Sequence, residues 1–224
     1  MAYLVRLMRK EDVPQVSAID REAFPGWLPY TNYERELDNR LAHFIVACDT
    51  STTNDALDSN PSEENSLRRL TAKVRGLFSH NADDSKQDKI VGFAGFWIAA
   101  GEAHVMSIAV REAYRRRGIG ELMLIRIIDM ATELKADFIA LEARISNLAA
   151  QSLYLKYGFI ERDIRPGYYS DNREDAVYMT TDSIQTVPFQ SHLKKLKKLY
   201  DQKWGTQATQ STVEKSGCPG NLPL

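Results

Sequence analysis

The sequence predicts one α/β domain, and three observations carry that reading. Short runs of β-branched and aromatic residues alternate with stretches of helical periodicity. Two such runs, Lys89 to Ala99 and Ala103 to Val110, are split only by a Gly-Glu turn, as in an antiparallel hairpin. Setting aside two polar regions, residues 50–88 and 182–224, leaves 142 of the 224 residues, an ordinary size for a single domain.

The elements follow in chain order. Tyr3 to Met8 reads as a strand, and after Asp12 the residues Val13, Val16, Ile19 and Ala23 recur at helical spacing until Pro25 stops the helix. Thr31 with Glu34 three positions later has the form of a capping box and predicts a short helix to about Asn39. His43 to Cys48 returns to strand. Residues 50–88 are polar at both ends, with Leu67, Leu70, Val74, Leu77 and Phe78 on one helical face, and read as an insertion carrying one short helix. The hairpin comes next and supplies the central strands. After Gly120 the residues Leu122, Met123, Ile125, Ile127, Ile128, Ala131 and Leu134 cover a wide apolar face, so that helix is largely buried. Phe138 to Glu142 is a strand. Ser146 or Asn147 caps a helix to Tyr157, with Gly158 placed to end it, and two last strands lie near Phe159 and Ala176. The domain thus spans residues 1–181. The remaining 43 residues, 182–224, with six Lys against three acids, read as a Lys-rich helix and then a disordered polar tail, outside the core.

Composition narrows the function classes. The 29 Lys and Arg against 30 Asp and Glu give a formal charge of −1, which removes the basic excess of a dedicated nucleic-acid binder. Cys48 and Cys218 form neither a disulfide framework nor a metal-ligand spacing, and no metal is expected. The longest apolar run, Ile90 to Gly101, is about half of what a membrane span needs, and the expected location is the cytoplasm. His43, His80, His104 and His192 form no cluster and receive no role.

The sharpest local feature is Arg115-Arg116-Arg117-Gly118-Ile119-Gly120, between a strand and a buried helix. Glycines let a backbone approach a bulky anion, and the N–H groups and positive dipole end of the next helix favour negative charge there. The hexapeptide alone is read either as a pyrophosphate cradle or as a tight turn with a solvated basic rim. A P-loop is absent, and the dinucleotide fingerprint fails because its third glycine falls at Met123.

The residues RRRGIG resemble the pyrophosphate loop of the GNAT superfamily of acetyl-coenzyme A-dependent N-acetyltransferases. Leu141 to Phe159 (LEARISNLAAQSLYLKYGF), the hairpin Gly167 to Met179 (GYYSDNREDAVYM) and AFPGW at Ala23 to Trp27 are similar to its ribosomal-protein alanine N-acetyltransferase branch. The resemblance implies a mixed, mostly antiparallel sheet whose central strands splay around coenzyme A. It implies coenzyme contacts from Ile108, Ala109, Val110, Arg115, Arg116, Arg117, Gly118, Ile119, Gly120 and Asn147, with the Val110 N–H as oxyanion donor. Glu142 is implied as general base, Tyr154 as general acid toward the sulfur, and Tyr168, Tyr169 and Trp27 as acceptor-binding. Acetyl-CoA is then the co-substrate and the acceptor is a protein N-terminus, an alanine-starting ribosomal protein in particular, with ribosome contact through the Lys-rich tail. Acetylation of a lysine or small amine, and coenzyme binding without turnover, are the alternatives. Cys48, beside Asp49, reads as structural rather than as an acetyl carrier.

Overall fold

A computed structural model describes residues 3–26, 30–51, 88–205 and 208–209. In chain order these form β1 (Tyr3–Leu7), α1 (Val13–Ala23), α2 (Tyr33–Leu37), β2 (Ala42–Asp49), β3 (Lys89–Ala99), β4 (Glu102–Val110), α3 (Ile119–Glu133), β5 (Phe138–Arg144), α4 (Leu148–Lys156), β6 (Phe159–Tyr169), β7 (Glu174–Thr181), α5 (Val187–Trp204) and β8 (Ala208–Thr209). The strands make one sheet in the order β6-β7-β5-β4-β3-β2-β1-β8. Only β4 with β5 and β1 with β8 run parallel, and the other neighbours are antiparallel.

Alternation along the central strands explains the layers. On β2, Phe44, Val46 and Cys48 join one apolar cluster with Val16 and Ile19 of α1, whereas Ile45 and Ala47 join the other with α3. Helices therefore cover both faces. The α2 start differs from the Thr31 expectation: Asn32 is the cap, its side chain accepting from the Arg35 N–H at 3.1 Å. The start is set by Tyr33, whose ring stands edge-on to Phe44 and Phe93 at 5.5 and 5.6 Å. The β3–β4 turn likewise falls one residue early. Ala100 and Gly101 both have positive φ, 49° and 84°, which matches the twist of the paired strands.

The polar insertion lies outside the described residues except at its ends. Asp49 stands opposite Lys89 in the β2–β3 register, so the intervening chain leaves and re-enters at one point of the sheet. That point is fixed by a buried ion pair. Arg6 donates to both Asp12 oxygens at 2.6 and 2.9 Å and to Asp88 at 2.9 Å. Asp12→Ala should destabilise the fold by about 3–5 kcal/mol in denaturant unfolding, because Arg6 would keep a buried charge that half-exposed Asp88 answers alone.

The C-terminal helix corrects the expectation that this region lies outside the core. On α5, Leu193, Leu196 and Tyr200 are buried in the same cluster as α3, and the Lys197 ammonium pairs with Asp129 of α3. The five lysines of α5 draw attention from a stripe, Phe189, Leu193, Leu196, Tyr200 and Trp204, at helical spacing. That cover is why nearly the whole circumference of α3 from Leu122 to Ile128 is buried. Cys48 is buried in β2, and burial pushes its thiol up to about 11, which leaves it inert.

Candidate active site

The site begins where the central strands part. β4 and β5 pair from Glu102↔Phe138 to Val105↔Leu141 and no further. At that level β4 carries one extra residue against β3, because Gly95 faces Ser107 while Phe96 faces Val105. Beyond it β4 stays with β3, while Glu142 to Arg144 of β5 remain paired with β7. A gap opens between Met106–Val110 and Glu142–Arg144.

Register decides which backbone groups line the gap. The Arg111 N–H donates to the Val91 carbonyl at 2.9 Å, so the next pair inward, Gly92↔Val110, is a non-bonded pair. The N–H groups of Ile108 and Val110 therefore turn away from β3 and into the gap. Ala109 is different. Its carbonyl faces β3, lying 2.8 Å from where a Cβ on Gly92 would stand, so the contact anticipated from Ala109 is not available through its own N–H and C=O.

The arginine-glycine loop closes one end of the gap. Gly118 is the N-cap of α3 at φ 79°, ψ 0°, and its carbonyl accepts the first helical bond from Leu122 at 2.9 Å. The N–H groups from Gly118 to Glu121 precede that bond and stand at the helix's positive end. Arg116 also has a left-handed φ of 63°. Arg115 donates to the Val110 carbonyl and Arg117 to the Ala113 carbonyl, at 3.3 and 3.0 Å, which ties the start of the loop to the chain just before it. A Cβ at Gly120 would meet nothing closer than 3.9 Å, the Val110 methyl, so that side of the helix start is open. The shape and donors suit a pyrophosphate.

Glu142 sits at the splay on β5 with only 5% of its side chain exposed. Its Oε2 meets His104 Nε2 at 2.9 Å, its Oε1 pairs with the Arg165 guanidinium, and the Tyr168 hydroxyl donates to it. Burial alone would raise this carboxyl. The His104 hydrogen bond and charge, with Arg165 and Tyr168, outweigh burial and hold it below the usual carboxylate range. The other ring nitrogen of His104 meets Glu102 at 2.9 Å, and the two carboxylates raise the imidazole, led by Glu142. A chain of titratable groups thus runs from Glu142 through His104 to the more exposed Glu102.

Tyr154, on α4, packs its ring on Phe159 at 5.6 Å, and burial pushes its hydroxyl up to about 12. Tyr168 and Tyr169 stand edge to face at 5.2 Å, and Tyr169 lies within electrostatic reach of both Glu142 and Tyr154. They are placed there by an irregularity: between Arg165↔Ala176 and Tyr169↔Glu174 strand β6 has extra residues, with Gly167 at φ 60°. The Arg144 guanidinium stacks 3.9 Å from the centre of the Tyr169 ring and donates to Asp171 and Glu174 at 2.7 and 3.0 Å, pinning the hairpin. Asn147 caps α4 by accepting from Ala150 N at 3.1 Å. Trp27 lies outside the described residues.

Sequence reasoning missed His104 and Arg165. Neither is close to Glu142 in sequence, at 38 and 23 positions away, and only the parallel β4–β5 register and the β6 hairpin bring them together. The available signal was alternation: His104 and Glu102 share one face of β4.

Known proteins resemble this chain in sequence and fold. An N-alpha-acetyltransferase of Sulfurisphaera tokodaii is 31% identical over 179 residues, covering 79% of this chain and 91% of that protein. The [ribosomal protein bS18]-alanine N-acetyltransferase of Escherichia coli K12 is 38% identical over 97 residues, 42% of this chain and 66% of that one. The crystal structure of the Escherichia coli ribosomal-protein-S18-alanine N-acetyltransferase superposes with a TM-score of 0.58 at 23% identity, covering 81% of this chain and 94% of that one, a likeness of fold. Residues 14–159, which hold the splayed strands, the glycine cradle and Glu142, match the acetyltransferase (GNAT) family, and the chain belongs to it.

Proposed function

We propose that this chain transfers acetyl from acetyl-CoA to the N-terminal α-amino group of a protein, with an alanine-starting ribosomal protein as acceptor, by direct attack of the amine. The observation that carries the reading is a buried, ionised Glu142 at a strand splay into which the Val110 N–H also turns. The names of the relatives supply the acceptor class. The same reading puts the protein in the cytoplasm.

Bound acetyl-CoA would supply the thioester, held by the Gly118–Gly120 backbone and by the N–H groups of Ile108 and Val110; Asn147 would add a contact while it caps α4. The remaining steps belong to the protein. Glu142 accepts a proton from the α-ammonium, whose pKa of roughly 7.7–8.0 makes it a far weaker demand than a lysine near ~10.4. His104 orients the carboxylate and links it to Glu102 and solvent. The Val110 N–H stabilises negative charge as it builds on the carbonyl oxygen. Tyr154 stays protonated at neutral pH and offers that proton to the departing sulfur, and the second proton shed by the nitrogen as the amide forms restores its hydroxyl. Tyr168 and Tyr169 form the wall against which the acceptor peptide lies. Lys194, Lys195 and Lys198, exposed on α5, are the surface that would meet the ribosome.

The test is mass spectrometry of peptides incubated with protein and acetyl-CoA: N-terminal alanine peptides gain one acetyl group at the α-amine, while N-terminally blocked lysine peptides and polyamines stay unmodified. Acetylated lysine or polyamine with untouched N-termini would overturn the acceptor. Gly120→Val separately tests the cradle. Its side chain has room against Val110, so the fold should persist while acetyl-CoA affinity in calorimetric titration drops by about tenfold or more.

A further inference from the structure

The pyrophosphate loop is not self-supporting. Two of its residues, Arg116 and Gly118, lie in the left-handed region, and a non-glycine residue held there persists only when its surroundings over-determine it. The internal bonds of Arg115 and Arg117 reach carbonyls before the loop and leave the glycines to other supports. The last turn of α5 provides one. A Cβ built on Gly118 would stand 2.7 Å from Trp204 Cε2 and 2.8 Å from its Nε1, so the indole lies directly against the glycine. One turn earlier, the Tyr200 hydroxyl donates to the Gly118 carbonyl at 3.3 Å, joining the Leu122 N–H on the same oxygen.

The helix end is itself held. Tyr200 and Leu196 are buried, Lys197 is paired with Asp129 on α3, and after the helix β8 adds in parallel to β1 with Leu4↔Ala208 and Val5↔Thr209. An element some 80 residues downstream in sequence is therefore seated against the loop at Gly118, while a Cβ at Gly120 would meet no atom of it within 4 Å.

We propose that the final turn of α5, through Trp204 and Tyr200, is a positioning element for the coenzyme's pyrophosphate, setting the affinity for acetyl-CoA without touching the reacting atoms. This rests on the coenzyme reading above. The physical reason is the steepness of positioning: a misplacement of about 1 Å can cost up to about 10²-fold, and a cradle of backbone N–H groups has no side-chain freedom with which to compensate. The acetyl-transfer groups, Glu142 and Tyr154, stand on β5 and α4 and are held by other contacts.

The test is steady-state kinetics on the full chain with two acetyl donors, acetyl-CoA and S-acetylpantetheine, which lacks the pyrophosphate and nucleoside. Trp204→Ala should raise KM for acetyl-CoA about tenfold with kcat unchanged at saturation, and Trp204→Phe, which refills the slot with a ring, should restore most of it. With S-acetylpantetheine, Trp204→Ala and wild type should have equal kcat/KM. An unchanged KM for acetyl-CoA in folded Trp204→Ala, or an equal defect with both donors, overturns the proposal. Should Trp204→Ala not fold, Tyr200→Phe keeps its buried ring and takes its place: a KM about threefold higher with acetyl-CoA alone supports the proposal, and an unchanged KM overturns it. A wild-type chain that binds no acetyl-CoA overturns the coenzyme reading, and this inference with it.

Discussion

Glu142→Gln is expected to lower kcat by about 10²- to 10⁴-fold, the usual worth of a positioned base, with the fold intact. The amide keeps the size of the carboxylate and can still accept from Arg165, which is 40% exposed and free to relax. Part of the defect should be relieved as pH rises toward roughly 7.7–8.0, where the acceptor α-amine sheds its proton unaided. A pH profile of kcat/KM for both proteins checks this, and a loss independent of pH would remove Glu142 from the role of base. Stability carries a second signature. The folded His104 pKa is raised, so its pairing with Glu142 stabilises fully below the unfolded value near ~6.5 and is lost as pH rises through the higher folded value. Glu142, lowered, contributes above its unfolded value and loses that contribution only as pH falls through the folded one. Thermal melting of wild type should therefore decline through the His104 titration, and the decline should flatten in Glu142→Gln.

Tyr154→Phe is expected to cost a similar factor, about 10²- to 10⁴-fold in kcat, with little change in coenzyme affinity. The ring remains against Phe159, so packing persists, and only the hydroxyl is lost. The pH behaviour separates it from the base variant. A phenol raised to about 12 remains protonated across the working range, so raising the pH to 8 supplies no substitute for the missing proton and the defect should persist. The leaving thiolate, near ~8.5 as a free thiol, is a weaker base than this phenolate, so Tyr154 works by partial donation as the carbon–sulfur bond lengthens. A donor with a more acidic leaving thiol should narrow the gap between Tyr154→Phe and wild type. A variant that turns over at the wild-type rate would end the assignment of Tyr154 as general acid.

Much of the fold was legible because local and tertiary demands agree. Val13, Val16 and Ile19 repeat at helical spacing because one face of α1 meets the sheet, and β2 is apolar on both sides because helices cover both. The glycine cradle was legible for a related reason, since its geometry is backbone geometry and Gly118 at φ 79° writes that need into the sequence. The proton chain was not. His104, Arg165 and Glu142 belong to three strands, and alternation on β4 marks Glu102 as a neighbour of His104 but carries no mark of Glu142.

The succession of strands and helices, the arginine-glycine loop before a buried helix, and the acid and the tyrosine placed at one strand and the helix after it are all written in residue order and periodicity. Three features depend on how distant segments meet. The end of β4–β5 pairing at Val105↔Leu141, with an extra residue on β4, aims the Val110 N–H into the gap. Register between distant strands fixes the charge state of Glu142, because its partners come from β4 and β6. The C-terminal helix belongs to the core and not to a solvated tail: its lysines dominate the composition, but an apolar stripe needs a partner surface, and which surface it finds depends on contacts no local pattern encodes.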